Sequence, residues 1–388
     1  MKKVMKIFVL VAIFILNLSL TSFASEQPVS VCVNDVYLDF DVQPKIENGR
    51  TLVPVRAISE YLKYDVEWNP TNQMVKIQNE DTILNIYIGN INYQLNGEAK
   101  TFDVPPKIEN GRTLVPVRLI AESFGCDVEW EPDARNVKIV KYNVVEVETA
   151  EEFVESIDSY TKIILTNSFY NLSTVEEVNN HNIFKEYKIE DEYEYVVVNV
   201  NNLIIEAKEQ AEIVTAYRYS NVLNFTECIN ITLKNITAGH AIEKGYCVGG
   251  VLYFEETEKV NVENCKLYGC GTYGVIARYS RDMNITNTDI YECTYGALDL
   301  ETCADIKFDS CIFRDTEFFA LFNISGEFSN IVIKNSVIKN NTCYPDYAEY
   351  CPLIDSDGGL TFENCEFSNN DYVIFDENNN AIFNNCKY

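Results

Sequence analysis

One four-residue phrase, apolar-x-[NS]-[CST], recurs through the second half of the chain and constrains the fold more than any other feature. It stands as Val262-Glu263-Asn264-Cys265, Ile285-Thr286-Asn287-Thr288, Phe308-Asp309-Ser310-Cys311, Ile333-Lys334-Asn335-Ser336, Phe362-Glu363-Asn364-Cys365 and Phe383-Asn384-Asn385-Cys386, with Leu233-Lys234-Asn235-Ile236 as a weaker first member. Successive third positions lie 29, 23, 23, 25, 29 and 21 residues apart. A segment of that length holds only short strands, none of which buries a face alone, so neighbouring segments must stack. Leucine-rich repeats share the period, but their leucine lattice and long helical stretch are missing. The expectation is a mainly β chain with a parallel solenoid of roughly eight coils over residues 142–388.

This pattern resembles the right-handed parallel β-helix proteins, the pectate-lyase-like group among them. The resemblance implies a ladder of corner asparagines whose stacked amides satisfy buried backbone groups. A short amphipathic helix from about Ala150 to Ser159 is expected to cap the open end of the stack and hide its strand edges. Thirteen cysteines in an exported chain first suggest disulfides. Their positions argue otherwise: Cys265, Cys311, Cys365 and Cys386 fall in one column of the repeat, Cys228 and Cys303 in another. Buried cysteine packs as a small apolar residue, so reduced internal stacks are expected, with Cys343 and Cys351 the candidate pair for a bridge. Zinc finds no support, because no paired C-x-x-C exists and the chain has two histidines.

Upstream, PKIENGRTLVPVR occurs at 44–56 and again at 106–118. The same offset of 62 relates Tyr64-Asp65-Val66-Glu67-Trp68 to Cys126-Asp127-Val128-Glu129-Trp130, and Val75-Lys76-Ile77 to Val137-Lys138-Ile139, so the chain's only two tryptophans are equivalent. Each unit reads as strand, turn, helix, strand: Asn48-Gly49 signals a hairpin, Pro54 suits a helix start, and Val55, Ile58 and Leu62 share a helix face. Arg56 and Glu60, kept as Arg118 and Glu122, are expected as ion pairs that fix the turn. These residues resemble the copper amine oxidase-like N-terminal domain over about 29–141, a small duplicated α+β module. The family name does not carry its chemistry here. Amine oxidase activity needs three histidines on copper and a tyrosine-derived quinone in an N-Y-[DE] context, and this chain has only His181 and His240 and no such tripeptide. No copper is expected, and the module is read as a non-catalytic accessory, spacer or wall-association unit.

The first residues place Lys2, Lys3 and Lys6 ahead of an apolar run from Ile7 to about Leu20, closed by Ser22-Phe23-Ala24. Residues 1–24 read as a cleaved signal peptide, which implies a secreted or surface-associated protein with no membrane span after cleavage. The net charge of −28 disfavours nucleic acid and other polyanions as partners. An apolar fraction of 47% excludes disorder as the cause of that acidity.

Ligands of such solenoids lie along the outer face of one sheet, beside loops that lengthen particular coils. Burying Leu252, Ile276, Leu298, Leu321, Ile354 and Ile374 turns their neighbours outward by the two-residue alternation. The resulting stripe of rings and carboxylates suggests a polysaccharide track with Tyr253, Glu255, Arg278, Tyr279, Phe322, Asp355, Asp357 and Phe375 as contacts. A solvated acidic sheet is the plainer alternative. For catalysis the candidates are His240, Asp299 and Glu301; the last two are also the place for a calcium ion, if one binds. By strand rise Asp299 and Glu301 are about 6 to 7 Å apart, near the roughly 6.5 to 9.5 Å of inverting hydrolases. Arg278, the base a lyase would need, points inward or to a corner by its parity. Of the polygalacturonase signatures only Asn287-Thr288-Asp289 is present, at a corner. The leading reading is therefore recognition of extracellular or cell-wall polysaccharide. The alternatives are a carbohydrate-active enzyme, either polysaccharide lyase or glycoside hydrolase, and a structural surface adhesin.

Overall fold

The computed structural model describes residues 27–241, 248–269, 271–343, 352–356, 359–371 and 381–388. The expected signal peptide, residues 1–24, lies outside them. The chain divides after Lys141 into two compact units.

In the first unit the duplicated phrase forms two β-hairpins. Asn48 and Gly49 take φ of 50° and 73°, Asn110 and Gly111 47° and 74°, the double positive φ of the tight turn that suits strand twist. Strands Arg50–Pro54 and Arg112–Pro116 then pair antiparallel, with Val53 opposite Val115, so the phrase zips onto its own copy. Pro54 and Pro116 precede helices Val55–Tyr61 and Val117–Ser123. The predicted face of Val55, Ile58 and Leu62 is buried. Polar contacts follow a pseudo-twofold rule: Lys45 binds Glu109 while Lys107 binds Glu47, and Arg50 binds Asp103 while Arg112 binds Asp41. Moving the base of the first pair forward by 62 and its acid back by 62 gives the second pair in each case. Arg56–Glu60 at 3.8 Å and Arg118–Glu122 at 3.6 Å are exposed ion pairs of one helix turn.

The second unit is a parallel β-helix of about seven turns, near the roughly eight that the spacing predicts. A turn is built from three strands, such as Leu252–Glu255, Glu258–Glu263 and Lys266–Tyr268. The next repeats them as Tyr273–Arg278, Arg281–Thr286 and Asp289–Tyr291. Apolar residues stack inside in register, for example Val262, Ile285, Phe308, Ile333 and Phe362, all fully buried. Helix Ala150–Glu155 closes the N-terminal end, held by a capping box between Thr149 and Glu152. Its Phe153 and Val154 join the same core as Ile163 and Ile205.

The recurring phrase is the corner between the second and third strands. Asn264, Asn287, Ser310, Asn335 and Asn364 all adopt left-handed backbone, φ 49° to 59°, which Asn tolerates better than most residues. The amide ladder exists, with Asn335 donating to Asp309 at 2.9 Å, Asn364 to Asn335 at 3.3 Å and Asn385 to Asn364 at 2.7 Å, but it runs along the exposed edge. The expectation that it satisfies buried backbone groups is corrected: the left-handed residue throws its side chain outward and the following residue turns in. Cys265 then donates to the Glu263 carbonyl at 3.2 Å, Thr288 to Thr286 at 2.9 Å and Ser336 to Lys334 at 2.7 Å. Cys228, Cys265, Cys303, Cys311 and Cys365 are buried free thiols, as the columns predict, whereas Cys386, the last of its column, is free but only half-buried. Burial pushes Cys265 and Cys365 up to about 11 and Cys311 up to about 12, so they are not nucleophiles. Of the candidate bridge, Cys351 lies outside the described residues, and the Cys343 sulfur sits 3.2 Å from the Asp371 carbonyl. No helix among the described residues is long and apolar enough to cross a membrane.

Candidate functional site

The first strand of every turn belongs to a sheet of eight strands among the described residues, from Ile183–Tyr187 to Ile354–Ser356. Its register fixes which side chains face out. Tyr253 pairs with Ile276, Ile276 with Asp299, Asp299 with Asn323, and Asn323 with Asp355. Two residues further along, Glu255, Arg278, Glu301 and Ser325 form a second outward column. Tyr253, Glu255, Asp299, Glu301 and Asp355 thus share the predicted face.

Two turns differ from the expected parity. Phe322, expected outward, is fully buried and stacks on Leu298 and Ile354; Asn323 takes the outward place. The reason is an extra inward residue: Leu321 is also buried, and its carbonyl accepts from both Ala297 and Leu298. Two turns earlier, Val275 and Ala277 face in, and Ile276 faces out beneath its neighbours. That reverses the expectation for Arg278, whose side chain lies on the outer face. Tyr279 is 56% exposed but sits at the left-handed corner, φ 51°, beside the face and not on it. Asp357 and Phe375 lie outside the described residues.

Arg278 is the hub of the face. Its guanidinium bonds Asp299, reaches Glu301 at 3.2 Å and donates to the Asp299 carbonyl at 3.0 Å. Asn323 donates to the other Asp299 oxygen at 2.8 Å. Burial opposes charge on Arg278, yet these partners hold it more strongly protonated than usual. A calcium ion shared by Asp299 and Glu301 would compete with this guanidinium for the same oxygens, and no group of three or more acidic, Cys or His residues suited to a metal occurs among the described residues. The pair does not fit the ion.

His240 stands apart. It is 3% exposed, Nε2 bonds the Ser220 carbonyl at 3.0 Å, and Nδ1 faces no hydrogen-bonding partner among the described residues. Burial holds the imidazole below its usual value. None of its bonds reaches Asp299 or Glu301, so the structure does not join His240 to Asp299 and Glu301; His240 ends the long strand Ile229–His240, and its side chain is drawn inside.

Several members were missed. Hairpin Ile183–Tyr187 with Tyr193–Val198 rises beside the first turns and walls a groove of about 710 Å3, lined by His181, Phe184, Lys188, Asn224, Tyr253 and Glu255 among others. Phe184 is 61% exposed there. Glu194 is buried behind it and accepts from the Asn221 backbone at 2.9 Å and from Lys188 at 3.3 Å. Burial lifts Tyr253 and Tyr273 to about 12, helped by the charges of Glu255 and Asp299 respectively, so both phenols remain hydrogen-bond donors. Tyr273, Tyr295 and Phe319 form an edge-to-face ladder on successive turns of this sheet. Their spacing, 22 and 24 residues in the sequence, was the signal available for finding them.

Comparison with known proteins agrees with the division of the chain. Residues 32–139 match the family model described as copper amine oxidase N-terminal domain, and residues 210–351 match the right handed beta helix region. A protease inhibitor of Brevibacillus choshinensis is 27% identical over 142 residues, which is 36% of this chain and 44% of that protein; the chain spans less than half the length of this relative. Among solved structures, an alginate lyase from Paenibacillus sp. str. FPU-7 aligns with 63% of this chain and 99% of its own at 11% identity and a TM-score of 0.31. The catalytic domain of a GH87 alpha-1,3-glucanase in complex with tetrasaccharides aligns with 94% of this chain and 87% of its own at 8% identity and a TM-score of 0.20. The first unit of the chain thus matches the copper amine oxidase N-terminal domain, and part of the β-helix that follows it matches the right handed beta helix region.

Proposed function

We propose that the outer face of the eight-stranded sheet binds extracellular or cell-wall polysaccharide without turning it over, and that the N-terminal domain is its accessory or wall-association unit. The observation that carries this reading is the groove over the hairpin and the first strands of the sheet. It sets the rings of Phe184 and Tyr253 beside Glu255, Glu186 and Lys188 and continues along the face to the Arg278 network. Flat rings cover the apolar face of a sugar, and paired charges keep spare donors and acceptors for its hydroxyls. Binding is favoured over catalysis because Asp299 and Glu301 both engage Arg278, so neither of this pair is free to act as acid or base about a bond. Residues 142–388 hold 41 acids and 16 bases, a net −25 that disfavours a polyanionic glycan. The test is retention on insoluble wall glycan. Phe184→Ala with Tyr253→Ala should reduce it about tenfold, the loss of roughly 1.4 kcal/mol, with no reducing ends or unsaturated products released by either protein. Unchanged retention sinks the proposal. Product release that Asp299→Asn abolishes would put the enzyme reading in its place.

A further inference from the structure

The two repeats of the N-terminal domain build a pair of equivalent grooves, and neither groove belongs to one repeat. The first, about 640 Å3, takes Arg56 and Trp68 from the first repeat and Ile108 and Arg112 from the hairpin of the second. The second, about 470 Å3, takes Arg118 and Trp130 from the second repeat and Ile46 and Arg50 from the hairpin of the first. Every one of these residues is its counterpart's equivalent at the offset of 62. The exchange follows from the antiparallel pairing at Val53 and Val115, which carries each hairpin across to the other repeat's helix and tryptophan strand.

Packing explains the identity of the lining only at Trp130, which is half-buried against the core. Ile46 is 42% exposed, Ile108 52% and Trp68 40%, yet type is kept in both copies, while the buried pair Tyr64 and Cys126 has diverged. Both volumes lie in the range of about 300 to 1,000 Å3 usual for small-ligand sites. Charge selects the occupant. All four guanidiniums already face carboxylates: Arg112 bonds Asp41 at 2.7 Å, Arg50 bonds Asp103, and Arg56 and Arg118 pair with Glu60 and Glu122. No uncompensated positive charge remains to attract an anion. What remains is a wide indole and a branched apolar wall beside groups whose free N–H and lone pairs suit hydroxyls.

We propose that the N-terminal domain is a bivalent receptor for neutral glycan chains, each groove stacking a sugar ring on Trp68 or Trp130. The duplication is then functional, because a single repeat makes neither groove, and two sites on one glycan raise retention through effective concentration. The proposal rests on the wall-association reading of this domain and gives it a ligand; it uses no residue of the β-helix, so its failure and that of the sugar track on the β-helix are distinguishable.

Because Trp68 and Trp130 are the only tryptophans, indole emission of the full chain reports these grooves alone. Titration with cellohexaose and chitohexaose, both neutral, should shift the emission with at least one of them, and calorimetry should give two sites per chain. Trp68→Phe and Trp130→Phe should each remove about half of the emission change. In the Trp130→Phe background, Ile108→Ser should weaken the remaining signal about tenfold while Ile46→Ser leaves it, and the reverse should hold in Trp68→Phe. Phe184→Ala with Tyr253→Ala should leave the signal intact. The proposal is overturned by no emission change with either oligosaccharide up to about 10 mM, a Kd above which means binding weaker than roughly 3 kcal/mol. A response only to an anionic oligogalacturonide, or to the wrong isoleucine of each pair, overturns it equally.

Discussion

Arg278 decides the chemistry of the sheet face at the level of single side chains. Its side chain and that of Asp299 are 20% and 12% exposed, so each loses hydration and depends on the other. Arg278→Met should therefore lower unfolding free energy by about 2 to 4 kcal/mol, since it leaves a carboxylate poorly solvated. Adding Asp299→Asn should return part of the loss, and urea denaturation of the single and double variants measures both. His240 makes a second prediction through pH. Burial lowers its folded value, with Ser220 and the charges of Glu192 and Glu194 pulling back, so the unfolded chain takes up the proton first. The stability it contributes is whole above about pH 6.5 and is lost as pH falls through that value toward the folded one. The wild-type advantage over His240→Gln, which keeps a donor for the Ser220 carbonyl, should narrow between about pH 7 and 5 in thermal melts. Growth of that advantage on acidification refutes the buried neutral imidazole. Neither environment was visible in the sequence, because the inward turn of the His240 backbone depends on the turns stacked around it.

The corner is the element on which the coil turns, and its geometry was largely legible. An Asn or Ser every 21 to 29 residues marks left-handed backbone, because other side chains meet the following carbonyl there at a cost of about 1 to 2 kcal/mol. Asn335→Ala should lose that amount together with the bonds to Asp309 and Asn364. Asn335→Gly should recover the backbone part alone, so the order of melting temperatures is wild type, then Gly, then Ala. Equal losses for Gly and Ala would leave the ladder as the only contribution. What the corner did not reveal was the parity of the preceding strand, and the shift at Phe322 shows why. Leu321 and Phe322 are both apolar, and either satisfies alternation taken alone. A better ruler was present, since counting back two from Cys228, Thr257, Ser280 and Cys303 gives Thr226, Glu255, Arg278 and Glu301, the outward column of the structure. The hairpin that walls the groove had no such ruler, because Ile183–Tyr187 pairs antiparallel with its neighbour and stands outside the repeat.

Over the whole molecule, charge is divided as unevenly as fold. Residues 27–141 hold 17 acids and 12 bases, a net −5 against −25 for residues 142–388. Each unit has a core of its own, Ile58, Ile77 and Ile120 among the first and Phe225, Phe308 and Phe362 among the second. Self-repulsion therefore burdens the β-helix far more than the duplicated domain. Repulsion between exposed carboxylates is screened as the Debye length falls from about 30 Å at 0.01 M salt to about 3 Å at 1 M. Across that range the melting temperature of separately expressed 142–388 should rise by several degrees, as about 1 kcal/mol shifts a domain of this size by roughly 2 to 4 °C. Residues 27–141, whose ion pairs are exposed and equally screened, should move little or fall. A potassium salt of a weakly interacting anion is the proper probe, since sulfate strengthens burial in both units and would hide the difference. Equal shifts in the two halves would mean that the acids of the β-helix are already compensated in pairs such as Lys162–Glu206, Arg314–Asp289 and Lys334–Asp309, and would remove charge as the reason for excluding polyanionic glycans from its face.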